Sequence, residues 1–238
     1  MSTVRIMWPA VVLAAAACRP SSAPEPISAQ RTYVLRLGTD TVAVDQFTIT
    51  RDRVEGMIVT HLPRTVVTRY TVVLNPATSR ATRLQYASRL PDGSMITAGG
   101  QAAVRQVTID FVGDSAVARI ERDTVATVRA AAPNAFPYLN YGIAFFQLPV
   151  SALRAANRDS ASYAIYTGGR VTTPITVRRT GPNTYSLSIT TFSFAVRTND
   201  AGVVQTVDGS GTTQQFLATL QSTAADDTTL AAEWAAAE

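Results

Sequence analysis

Residue types that carry much of protein chemistry are scarce or missing. The 238-residue chain has one cysteine, Cys18, one histidine, His61, and no lysine; all 21 basic residues are arginine. One cysteine excludes an intramolecular disulfide. One histidine excludes a multi-histidine metal site within the chain. Without lysine there is no Walker lysine, no Schiff-base lysine and no Ser-Lys dyad. No G-x-S-x-G elbow supplies a nucleophile that His61 would serve. The formal charge is +4, and the pI of about 9.6 follows from guanidinium groups that do not deprotonate. A high pI alone does not mark a nucleic-acid binder, which needs basic residues clustered on one face, so no nucleic-acid partner is expected. No cofactor or metal is expected either.

What is present begins with MSTVRIMWPAVVLAAAAC. Arg5 gives a short positive start, Ile6 to Ala17 is uncharged and apolar, and small residues lead to Cys18. That layout makes residues 1–17 a secretory signal, and the run is too short to span a bilayer. Ala15-Ala16-Ala17-Cys18 resembles a bacterial lipobox, although the usual Leu is replaced by Ala15. It also fits ordinary A-x-A cleavage. The resemblance implies a lipid on Cys18 and a membrane as partner. Arg19 stands where an Asp commonly signals inner-membrane retention, which implies the outer membrane, facing the periplasm. Residues 18–31 then form a Pro- and Ser-rich tether.

From residue 32 onward, period-two alternation dominates. Val66, Thr68, Tyr70, Val72 and Leu74 alternate with Thr65, Val67, Arg69, Thr71 and Val73. Val107, Ile109 and Phe111 alternate with Gln106, Thr108 and Asp110. Turn residues such as Gly38-Thr39-Asp40, Pro91-Asp92-Gly93 and Gly113-Asp114 break these runs at short intervals, which forces antiparallel neighbours. The pattern predicts about a dozen strands. Residues 32–238 are expected to form one mostly β domain. Its fold is a large curved antiparallel sheet or partly open barrel, large enough to bury roughly 70% of its unfolded surface. Val42 and Val44 share one phase and Phe47 and Ile49 the other, which predicts a β-bulge near Asp45-Gln46.

The alternation stops at 133–157. Tyr138, Tyr141 and Phe145 fall at helical spacing, with Leu139, Ile143 and Phe146 on a neighbouring face. This predicts a short buried helical segment near 138–157, with a second helix after Pro149. A last helix is predicted over 227–237, where Asp227 suits an N-cap and Leu230 and Trp234 make an apolar stripe.

Phe136, Tyr138, Tyr141, Phe145 and Phe146 are the candidate ligand-binding residues: they line an apolar cavity or simply fill the core. His61 reads as a turn residue. Asp45, Glu55, Asp110 and Glu121 fall within strands and are the acids from which a carboxylate hydrolase would draw a pair. The chain as a whole looks like exported β proteins in which a curved antiparallel sheet wraps short helices, lipoprotein carriers among them. That resemblance implies a non-enzymatic envelope protein binding a hydrophobic small molecule or an envelope protein. A purely structural accessory module is the alternative.

Overall fold

Alternating side chains commit this chain to strands, and two-residue turns commit the strands to antiparallel neighbours. Gly38 and Gly113, with φ of +63° and +56°, occupy the turns after Leu37 and Val112, where a left-handed residue matches the twist of a tight hairpin. The computed structural model describes residues 29–61, 63–97, 102–209 and 216–222. A first meander runs through β1 (Ala29–Leu37), β2 (Asp40–Ile49), β3 (Arg53–Thr60), β4 (Val66–Leu74), β5 (Ala81–Arg89), β6 (Gln106–Val112), β7 (Ser115–Glu121) and β8 (Val125–Ala131). Next come β9 (Ala135–Pro137) and α1 (Ala144–Ala155). A second meander follows through β10 (Ser160–Tyr166), β11 (Thr173–Gly181), β12 (Thr184–Ile189), β13 (Phe192–Thr198), β14 (Val204–Asp208) and β15 (Phe216–Ser222).

The two meanders join where β15 pairs with β1, giving one 15-stranded sheet with β8 and β9 at its ends. Among the described residues it is not closed into a barrel. Among the described residues every pairing is antiparallel except that of β9 with β10. That exception has a topological cause: α1 is the crossover between them, and a strand–helix–strand unit brings its strands back parallel.

The main core lies on the face that carries α1. It takes Tyr33, Leu35, Phe47, Ile58, Tyr70, Leu84 and Ile109 from the first meander and Tyr185, Phe194 and Phe216 from the second. Phe145, Phe146 and Leu153 of the helix fill the space between. The opposite face carries a smaller cluster, Val34, Val44, Val59 and Val67. These four pair directly across β1 to β4, so they form one row perpendicular to the strands.

The helical segment is shorter than its spacing suggested. A single helix passes through Pro149 rather than stopping before it. Proline there removes the bond to the Phe145 carbonyl. Buried Phe145, Phe146, Val150 and Leu153, held by the sheet, keep the helix continuous. Tyr138 and Tyr141 lie outside it; Tyr141 has φ +66° and turns the chain into α1.

The bulge is also displaced. β2 pairs without a break through Asp45 and Gln46; the extra residue against β1 is Val42, between the Leu35–Ala43 and Arg36–Thr41 pairs. A bulge there puts Val42 and Ala43 on the core side together. The first strand starts at Ala29, so residues 29–31 belong to the sheet rather than to the tether. The expected helix at 227–237 lies outside the described residues, as do residues 1–17 and Cys18.

Candidate functional site

The aromatic stretch singled out in the sequence is brought together, but as packing. Phe136, Phe145 and Phe146 are each 2% exposed. Phe136 meets Tyr163 edge-on at 5.1 Å, Phe145 leans on Tyr70 at 5.2 Å, and Phe146 meets Phe194 at 5.2 Å. Tyr138 is half-buried against both Phe145 and Phe146. Burial and the neighbouring Tyr141 push its hydroxyl up to about 12. Tyr141 is half-buried against the same core.

The helix is held by a carboxylate that the sequence did not single out for this role. Ile143 opens α1 with no side-chain cap of its own. Its N–H donates to Asp45 Oδ2 at 2.6 Å, and the Ala144 N–H donates to the same oxygen at 3.2 Å. The Tyr70 hydroxyl donates to Asp45 Oδ1 at 3.0 Å. Asp45 is 0% exposed. Thus β2 supplies the acceptor for donors that a helix start leaves unmatched. Loss of hydration raises the Asp45 carboxyl from 3.8 to about 7, against the opposing pull of its three donors. Gln147 ties the next turn to the second meander: Nε2 donates to the Gly202 carbonyl at 2.8 Å, and Oε1 accepts from the Val204 N–H at 2.8 Å.

The other acids do not gather. Glu55 pairs with Arg53 at 2.8 Å. Asp110 lies 2.6 Å from Arg83 and 3.7 Å from Arg119. Neither shares the buried setting of Asp45. His61 Nδ1 lies 2.6 Å from the Thr65 hydroxyl, across the turn that joins β3 and β4. Among the described residues no group of three or more His, Cys, Asp or Glu is placed to hold a metal ion.

Open space lies beside the aromatic core. Tyr70 pairs with Tyr86, Tyr86 with Val107, and Val107 with Ile120, so these residues form one row across β4 to β7. A cleft of about 390 Å³ opens over Tyr86, Val107 and Ile120 of that row. Ile96, Ala102 and Val104, from the segment between β5 and β6, make one wall; Ser88 and Arg122 are also in its lining. That volume falls within the range of small-molecule sites, as does a mostly apolar lining with a few polar groups. The sequence reading missed these residues because nothing local marks them. They meet only after three strands pair and a long connection folds back.

No family model matches the chain, and neither does any curated protein. Among solved structures, the crystal structure of a DUF1089 family protein from Pseudomonas aeruginosa is similar, with a TM-score of 0.54 and 11% identity. The match covers 72% of this chain and 91% of that one. At that identity the likeness is one of fold.

Proposed function

We propose that this protein is a non-enzymatic lipoprotein of the cell envelope, anchored in the outer membrane through Cys18, that binds a hydrophobic ligand in the cleft over Tyr86, Val107 and Ile120. The cleft carries this reading: about 390 Å³ of mostly apolar space beside a filled core. The lipobox-like start and Pro-rich tether support the placement, because they would hold the domain off a membrane surface. Glu55 and Asp110 are each paired with arginine, which weighs against the hydrolase.

Native mass spectrometry on protein gently extracted from its own envelope tests both parts. The expected spectrum shows a covalent lipid mass lost on Cys18→Ser, and a separate non-covalent ligand mass lost on Ala102→Trp. Ala102 is exposed at the cleft wall, so the tryptophan fills the cleft without entering the core. A wild-type spectrum with neither adduct overturns the proposal.

A further inference from the structure

The lining of the cleft narrows the class of ligand, and this step rests on the ligand-binding reading above. Ile96, Val104, Val107 and Ile120 are aliphatic, and Tyr86 contributes a ring. A volume near 390 Å³ stands at the small end of ligand sites, which suits one chain better than a two-chain lipid. Among the described residues of the lining, Arg122 is the charged one.

The charged neighbours of the cleft are tied into the protein, and so is Arg122 itself. Arg89 Nη1 donates to the carbonyls of Ser88 at 2.9 Å and Val104 at 3.2 Å, while Nη2 donates to that of Arg105 at 2.6 Å. The Arg105 N–H donates to the Glu121 carbonyl at 2.7 Å. These bonds pin the Val104 wall to both β5 and β7. The Arg105 side chain faces Asp123 at 3.4 Å. Glu121 follows Ile120 along β7, and neighbours on a strand point to opposite faces. The backbone of Arg122 is fixed by its N–H donating to the Thr124 carbonyl at 2.9 Å. A guanidinium has five donors in a planar fork, so a bond within the protein still leaves donors for an oxyanion.

We infer that the cleft takes single-chain amphiphiles with an anionic head, the chain lying over Tyr86, Val107 and Ile120 and the head meeting Arg122. Arg89 is a positioning residue that holds the Val104 wall in place.

Three probes with one chain and different heads test this: decanoate, decanol and decyltrimethylammonium. Each is titrated calorimetrically at pH 8, below its micelle concentration, into the Cys18→Ser form, which keeps every described element and needs no detergent. Decanoate is expected to bind at least about tenfold more tightly than decanol, with the cationic probe weakest. Arg122→Gln should bring decanoate down to the decanol level and leave decanol unchanged, which also reports that the variant is folded. Ala102→Trp should abolish both. Equal binding of decanoate and decanol by wild type, both blocked by Ala102→Trp, overturns the anionic head and leaves the apolar cleft standing. A preference for decanoate that survives Arg122→Gln overturns the role of Arg122. No binding of any probe overturns the cleft and the head together.

Discussion

The Tyr70 hydroxyl donates to a carboxylate, Asp45, that is sealed between the sheet and the start of α1, 3.0 Å away. Two partners of Asp45 are backbone donors of the helix, so the contact joins β2, β4 and α1 at one point. Its protonation state therefore bears on the stability of the whole core.

Asp45 has a folded-state pKa of about 7 against 3.8 when hydrated. The folded form holds the proton more tightly than the unfolded form. The stabilisation is thus fully present below about pH 4 and is lost as pH rises through 7. A shift of that size corresponds to roughly 4 kcal/mol across the window. Asn at position 45 is neutral at every pH, and its amide oxygen can accept from the helix N–H groups, as the protonated acid does. Asp45→Asn should therefore match wild type at low pH, exceed it above pH 8, and flatten the slope between pH 4 and 7. Thermal midpoints across that range decide it; an unchanged slope in the variant would place the titrating group elsewhere.

Gly56 makes room for Tyr70. A Cβ there would sit 2.5 Å from the Tyr70 Cζ and hydroxyl and 2.7 Å from the Phe47 Cβ. Gly56→Ala must push Tyr70 away from Asp45 and is expected to cost about 2–3 kcal/mol in denaturant unfolding. Gly169→Ala meets open space and serves as the control, with a change within about 0.5 kcal/mol. Equal midpoints for the two variants would refute this account of Gly56.

Much of the sheet was legible because alternation is a local property. The run from Val66 to Leu74 reads as a strand and is one. The helix boundary was not legible, because Tyr138, Tyr141 and Phe145 have helical spacing while a positive φ at Tyr141 breaks the geometry between them. The phase change in β2 was visible, but the hydrophobic pattern cannot say which residue is extra, and Asp45 hid the true phase by facing the core as an acid. Its partners are 25 and 98 positions away, so its capping role is a tertiary fact. The same holds for the cleft, whose row unites Tyr86, Val107 and Ile120 from separate strands. The aromatic stretch was correctly seen as apolar, yet neither spacing nor composition separates a cavity lining from a packed core.

The packed state of that stretch gives its own test. Phe146 is 2% exposed and meets Phe194 and Tyr138. Phe146→Ala should cost about 3–5 kcal/mol, the range for truncating a buried ring, and leave cleft ligands bound in whatever fraction stays folded. Phe146→Leu, which keeps most of the volume, should cost less. A loss of ligand without a loss of stability in Phe146→Leu would mean that the ring touches the ligand after all.

Gln147 is the clearest case of a polar group whose removal should exceed its apparent worth. It is 4% exposed within the main core. Its amide donates to the Gly202 carbonyl and the Ser151 hydroxyl, each at 2.8 Å, and its oxygen accepts from the Val204 N–H. The carbonyl of Val204 in turn accepts from the Tyr33 hydroxyl at 2.6 Å, so the start of β14 is held from both the helix and β1. Gln147→Leu keeps the volume and removes the polar atoms, which leaves a buried N–H and a buried carbonyl unmatched. The expected cost is about 2–4 kcal/mol. Hydrogen exchange separates a local effect from a global one. The Val204 amide should lose protection far more than the Val196 amide, which sits in the ladder of β13. If both amides lose protection equally, Gln147 supports the fold as a whole rather than anchoring β14.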